Sequence, residues 1–505
     1  MKFLKNLFSR FVINALLIIA QVALFGFFLQ WVSGYYIYIH IATLVICYFI
    51  VVLIVNKRQN PNLKLPWIVF ILLLPVPGTV SYLIFGNQLF PKRRVKRYNQ
   101  VDTLIKENIE KEVIDVDENV KGQFEYITNL TQLTPSNNNN LTYYNSGEAM
   151  YKDIIKDLLN AKEYIFIEFF ILSKGMMLDE VTDILKKKVK EGVDVRIIYD
   201  DIGSMKQLSA FFNKQIEKTG IKCLKFRPFI PFVSAAHNNR DHRKAIIIDG
   251  KVVYTGGINL ADEYINVISK FGYWKDNGLK VEGTSVDHFL YLFLSTWDTN
   301  YKKKKLDKDF QKFFKKHESV GSNTMLTFGD GPLPVFKEHI TENVYLNIIN
   351  NSKKYLYITT PYLVIDHELM NALKLASKRG VDVRIITPHI PDKKVVFWIT
   401  RNSYSELIES GVKIYEFTPG FIHSKCILSD DDIAILGTVN FDYRSLVHHF
   451  ESASLMYNVN VYNDMLNDFN ETLEKSEEIS LDKAKKINKF KRIIVLIVEI
   501  FAPML

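Results

Sequence analysis

The chain has 505 residues, a formal net charge of +9 at neutral pH, 48% hydrophobic residues and 24% charged ones. That length excludes a single ordinary domain. The three cysteines, Cys47, Cys223 and Cys426, have no paired spacing, which excludes a disulfide framework and suggests reduced thiols. The positive balance favours an anionic partner, a phospholipid surface or a nucleic acid.

The N-terminus is the most apolar part. Residues 11–32 run for 22 positions without a charge, after Lys2, Lys5 and Arg10. Residues 35–55 are a second uncharged run of 21, followed by Lys57 and Arg58. At about 1.5 Å per residue, each can cross a hydrocarbon core of about 30 Å. The joint, Ser33-Gly34, carries no charge, so the basic flanks place both outer ends in the cytoplasm. A cleavable signal peptide fits less well, because the first run is long and a second follows at once. The chain is therefore expected to open with a transmembrane helical hairpin. A third apolar stretch, 65–86, is broken by Pro66, Pro75, Pro77 and Gly78 and is followed by Lys92, Arg93, Arg94, Lys96 and Arg97. Crossing would put those five cations outside, so a re-entrant or interfacial segment is expected. Residues 1–98 form one membrane region on this reading.

Residues 99–140 are polar and end in Ser-Asn-Asn-Asn-Asn, a linker signal. Two halves follow, 141–320 and 321–480. Each begins with an apolar strand, 163–172 and 354–364, and continues with a helix, 179–191 and 367–379. Gly-Val-Asp-Val-Arg-Ile-Ile then appears twice, at 192–198 and 380–386. The alternation predicts an α/β fold, with helices packed on a largely parallel core sheet, and the duplication predicts an internal pseudo-dimer. Residues 301–316 hold eight lysines, a solvated face or a lipid contact. Residues 481–505 start basic and end apolar. Their uncharged run is too short to span, and suits either interfacial docking or packing on the second half.

One constellation is written twice. Counting from His242, Lys244 stands at +2, Asp249 at +7, Gly256 at +14 and Asn259 at +17; from His423, Lys425, Asp430, Gly437 and Asn440 stand at the same offsets. Positions i and i+2 share a face of a strand, so each copy offers an imidazole and an ammonium to one spot. Asp249 and Asp430 fall at an odd offset, which turns them away from that face and argues for a fold-supporting role. Two copies face to face would surround one cavity with two imidazoles, two ammoniums and two amides. Imidazole serves as nucleophile or general acid/base, while fixed cations and amides suit phosphoryl oxygens. Neither a carboxylate cluster of Mg²⁺ spacing nor a Cys/His zinc spacing accompanies them, so phosphoryl transfer without metal or cofactor is expected.

The duplicated His-x-Lys-x4-Asp, with Gly-x-x-Asn downstream, resembles the phospholipase D superfamily over about residues 140–460. The segments 238–244, 256–264, 271–276, 420–425 and 437–445 look most like bacterial cardiolipin synthases, as does the Trp-to-Gly stretch before the catalytic region. The resemblance implies a covalent phosphohistidine, with His242 as nucleophile and His423 as general acid. The motif's own symmetry leaves the reverse assignment open. It also counts Lys244, Asp249, Lys425 and Asp430 with the catalytic set. Asn259 and Asn440 would bind phosphoryl oxygens. Asp276 and Glu451 are the carboxylates expected to orient the imidazoles. Asp241 precedes the first histidine where relatives often carry Asn, and its charge is expected to raise the pKa of His242.

The resemblance further implies transfer between two phosphatidylglycerols, giving cardiolipin and glycerol at a cell membrane. A membrane-bound phospholipase D, with water resolving the intermediate to phosphatidic acid, is the alternative. A nuclease of the same fold is weakened by the membrane hairpin, since a soluble polyanion needs no anchor; nucleic acid is therefore not expected as a partner. A non-catalytic scaffold is weakened by two intact motifs.

Overall fold

The computed structural model describes residues 37–502 except 58, 87–91, 113, 115, 230–237, 302–308 and 487–488, with scattered positions between 16 and 30. Two mixed sheets carry the architecture. The first contains β1 (Asn139–Tyr144), β2 (Tyr164–Phe169), β3 (Asp194–Asp200), β4 (Lys222–Phe226), β5 (Ala245–Ile248), β6 (Val252–Gly256) and β8 (Gly278–Gly283), in the order β1-β8-β6-β5-β2-β3-β4. A short β7 (Tyr273–Lys275) precedes β8 and stands outside that sheet.

The second sheet contains β9 (Thr324–Asp330), β10 (Tyr355–Thr359), β12 (Asp382–Pro388), β13 (Lys413–Phe417), β15 (Cys426–Ser429), β16 (Ile433–Gly437), β18 (Glu451–Tyr457) and β19 (Ser476–Glu478). Its order is β19-β13-β12-β10-β15-β16-β18-β9. Three short strands, β11 (Leu363–Val364), β14 (Gly420–Ile422) and β17 (Phe441–Asp442), lie outside it. Apart from the extra edge strand β19, the two orders are the same arrangement built twice.

The expectation of a largely parallel sheet needs correction. Within the two large sheets only β2-β3-β4 and β10-β12-β13 run parallel; the other pairings in those sheets are antiparallel. The reason is local. Asp249-Gly250 and Asp430-Asp431 form tight turns with positive φ, so β5 and β15 reverse straight into β6 and β16 without a crossover helix. The strand after each His-Lys pair is thereby central in its sheet, beside β2 or β10, and buried along its whole length.

The stretch expected to be a linker is built differently. Helices Lys92–Lys106 and Glu118–Thr131 bury Tyr98, Val101 and Ile105, and Val120, Phe124 and Ile127, at helical spacing. Arg97 ties the first to the carbonyl of Asp298 at 2.8 Å. The apolar stripe is thin enough that its polar neighbours mask it in the sequence.

Nearer the N-terminus, the run 11–32 falls mostly outside the described residues. The second run is a helix, Ile37–Val55. Among the described residues no helix is long and apolar enough to cross a membrane. Ile41, Val45, Phe49 and Val52 of this helix are nevertheless exposed. Helix Pro61–Leu73 follows and breaks at Leu74 into Pro75–Ser81. The bend is tight: a Cβ on Gly78 would stand 2.6 Å from the Cα of Ile71. Cys47 and Ile54 pack there with Ile71 and Tyr82. All three cysteines are buried, and none is in a disulfide. At the other end, helix Lys489–Ile500 packs Val498 with Val396 and Ile399 of the second half and leaves Ile493, Leu496 and Ile497 exposed.

Candidate active site

The two halves exchange backbone at a seam, and the histidines stand on it. β14 runs parallel to β7 with Phe421 opposite Trp274, and the N–H of His423 then donates to the carbonyl of Lys275 at 2.7 Å. On the opposite side Asp241 bridges Phe450, and the N–H of His242 donates to the carbonyl of Phe450 at 2.8 Å. In both cases the residue after the bonded carbonyl is a carboxylate, Asp276 or Glu451. Each histidine therefore meets the carboxylate of the other half.

Nδ1 of His242 is 2.8 Å from Glu451 Oε1, and Nδ1 of His423 is 2.8 Å from Asp276 Oδ2. A carboxylate at Nδ1 fixes the proton there and turns the lone pair of Nε2 outward, the tautomer a nucleophile or a general base needs. Both carboxylates are fully buried. Removing either imidazole would strand an unpaired buried charge, which costs about 3–5 kcal/mol. Second donors hold the carboxylates. Thr438 Oγ1 donates to Glu451 Oε2, and the backbone N–H of Asn277 donates to Asp276 Oδ1 at 3.0 Å. Gly257 stands where Thr438 does in the other copy. A Cβ there would lie 2.0 Å from Asp276 Oδ1, so the glycine is what admits Asp276.

Lys244 and Lys425 lie beside their histidines, each bonding through Nζ to the carbonyl of its own His. Both are buried. Burial, moderated by the two carboxylates, pulls Lys244 down to about 7 and Lys425 to about 8. Burial and then the charge of Lys244 and Lys425 lower His242 well below its ordinary value; burial and Lys425 bring His423 to about 4. Burial pushes Asp276 up, but His423 and Lys425 outweigh it and hold it below the usual carboxylate range. Without substrate, both imidazoles are thus neutral at physiological pH. The site is built to receive an anion, whose charge would hold both lysines in the ammonium form.

The expected pKa effect of Asp241 is not found. Its carboxylate faces Arg243, with Oδ1 3.1 Å from Nε, and Arg243 also pairs with Glu168 at 3.0 Å. Alternation sends Asp241 and Arg243 to the side opposite His242, and their charges cancel.

Asp249 and Asp430, grouped with the catalytic residues by the motif, stand at the far ends of β5 and β15. Asp249 accepts from the N–H groups of Lys162, Glu163 and Tyr164 at 2.7–2.9 Å. Asp430 accepts from those of Lys353, Lys354 and Tyr355 at 2.7–3.0 Å. They anchor the starts of β2 and β10, as their odd offset suggests. Asn259 is committed to its own half, accepting from Ile171 N and donating to Tyr264 Oη at 2.7 Å. Asn440 is less engaged: Nδ2 donates to Asp442 at 3.2 Å, and Oδ1 has no hydrogen-bond partner among the described residues.

Other residues at the site went unread in the sequence. Phe170 packs edge-on against His242, and Tyr264 against His423, with ring centroids 4.9 and 5.4 Å apart. Trp274 and His449 also touch the two imidazoles. Aligning the two carboxylates, rather than only the histidines, would have exposed the last pair.

The family described as "Cardiolipin synthase, PLD-like domain" matches residues 154–270 and 345–473, and "Phospholipase_D-nuclease N-terminal" matches 43–87. A cardiolipin synthase 1 of Staphylococcus aureus is 32% identical over 86% of this chain and 89% of its own. The chain belongs to the cardiolipin synthase family of phospholipase D-like proteins. An uncharacterized protein of Streptococcus mutans is 40% identical over 90% of this chain and 99% of its own. The solved phosphatidylserine synthase of Haemophilus influenzae, 15% identical, superposes with a TM-score of 0.57 over 76% of this chain and 98% of that one; it shares the fold.

Proposed function

We propose that this protein is a cardiolipin synthase, joining two phosphatidylglycerols with release of glycerol. One observation carries the chemistry: each imidazole is held through Nδ1 by a carboxylate from the other half, beside two buried ammoniums. In the first step Nε2 of His242 attacks phosphorus, and the bond from phosphorus to the glycerol headgroup breaks. His423 gives its Nε2 proton to the departing alkoxide. In the second step His423 takes a proton from a hydroxyl of another phosphatidylglycerol, whose oxygen attacks phosphorus. The P–N bond breaks and His242 is restored. An arriving phosphodiester anion raises the pKa of His423, supplying an acid that the empty site lacks. Lys244 and Lys425 meet the charge on the phosphoryl oxygens. Asn440 adds an amide, while Asn259 braces the segment after β2 through the N–H of Ile171. No cofactor enters this scheme.

We place residues 1–98 at the bilayer as a hairpin with a re-entrant turn. The two uncharged runs, the outward apolar side chains of helix Ile37–Val55 and the sharp bend at Leu74 support that reading. The test of function is incubation of the full-length enzyme with labelled phosphatidylglycerol vesicles. Cardiolipin and glycerol in equal amounts are expected; phosphatidic acid without cardiolipin would favour the hydrolase instead.

A further inference from the structure

Each imidazole has an aromatic N–H group beside it, two residues ahead of its carboxylate. Before Asp276 this is Trp274, whose ring centroid lies 5.3 Å from that of His423 and whose Nε1 donates to Asp276 Oδ2 at 3.4 Å. Before Glu451 it is His449, whose ring centroid also lies 5.3 Å from that of His242. Nδ1 of His449 is 3.7 Å from Glu451 Oε1, the same oxygen that His242 bonds. The correspondence extends to the acceptor, since Asp276 Oδ2 is likewise the oxygen that His423 bonds.

The copies differ in one respect. The indole donor reaches its carboxylate at 3.4 Å, whereas among the described residues neither ring nitrogen of the buried His449 has a partner within 3.5 Å, Glu451 being its nearest carboxylate at 3.7 Å. An unmet buried donor of this kind is destabilising until it finds an acceptor. A separation of 3.7 Å is only about 0.3 Å longer than the 3.4 Å indole contact, within ordinary side-chain excursions. The local charge argues against a metal ion as the missing partner, because Lys244 and Lys425 both face His242.

We propose that His449 is a positioning residue for His242: its N–H closes onto Glu451 during the reaction, as Trp274 does permanently for the other pair. As Nε2 of His242 bonds to phosphorus, the ring gains positive charge and its Nδ1 proton becomes more acidic. Glu451 must then stay an anion and not take that proton. A second donor on Oε1 makes the carboxylate less basic and holds it in the plane of the imidazole. Trp274 cannot titrate or turn away, so the second copy carries the adjustable member.

The proposal rests on the two-histidine reading above. The experiment compares full-length His449→Phe, which keeps a ring and removes the donor, with His449→Asn, whose amide nitrogen stands where Nδ1 does. His449→Leu is a second donor-free variant should the first not fold. In phosphatidylglycerol vesicles, His449→Phe should lower kcat about tenfold, with KM within about twofold, and His449→Asn should recover most of the loss. Melting temperatures should match. An unchanged kcat in His449→Phe would overturn the proposal. So would equal impairment in the Asn and Phe variants, which means ring packing alone, or a loss confined to KM, which places the ring on substrate. His242→Ala is scored separately: activity there would remove the two-histidine reading, and this proposal with it.

Discussion

Lys244 and Lys425 set the pH range in which the empty site can receive a phosphodiester. Their ammonium charge is shed as pH rises through about 7 and about 8, where an unburied lysine would hold it to 10.5. The alkaline fall of kcat/KM should therefore lie near pH 7–8. Lys244→Arg, charged at any working pH, should move that limb upward. A limb that does not move would assign it to another group. These lysines and their histidines were legible because identical offsets in two copies are hard to produce by packing alone. The orienting carboxylates were legible from the same resemblance. His449 was missed because it pairs with Trp274 only when the two carboxylates are aligned, and these stand at unequal offsets from their histidines. Asp241 was misread because its neighbour Arg243, which takes up its charge, shares its face only once the strand is built.

At the scale of elements, Asp249 and Asp430 separate motif from mechanism. Each sits at positive φ, 54° and 56°, and ties three backbone N–H groups of the neighbouring strand. Asp249→Ala should lower stability by about 3 kcal/mol, seen as a drop in melting temperature, while kcat per folded molecule stays within about threefold. A hundredfold loss of kcat at unchanged melting temperature would instead put this carboxylate in the chemistry. The strand-helix-strand alternation of each half could be read from apolar runs. The antiparallel half of each sheet went unread: Asp249-Gly250 is a hairpin-turn pair, but its counterpart Asp430-Asp431 lacks the glycine that marks one. Helix Lys92–Lys106 escaped for the reason that its buried stripe is only Tyr98, Val101 and Ile105 among many charges.

For the whole molecule, the duplicated halves matter because neither completes a site alone: His242 needs Glu451, and His423 needs Asp276. On the proposed hairpin topology, the basic flanks of the N-terminal runs would put this assembled site at the inner leaflet. With the buried Cys47, Cys223 and Cys426 replaced, single cysteines at Ser33 and at the exposed Lys96 should differ toward an impermeant thiol reagent on intact cells. Position 33 should label and position 96 should not; labelling at 96 would move the catalytic halves outside. The central claim, phosphatidyl transfer through His242, is tested most directly by trapping the intermediate. Full-length enzyme is mixed with phosphatidylglycerol labelled at phosphorus, quenched in alkali during turnover and digested. An acid-labile label on the peptide containing His242, absent from His242→Ala, is the predicted result. Label on the His423 peptide, or cardiolipin formed by His242→Ala, would contradict it.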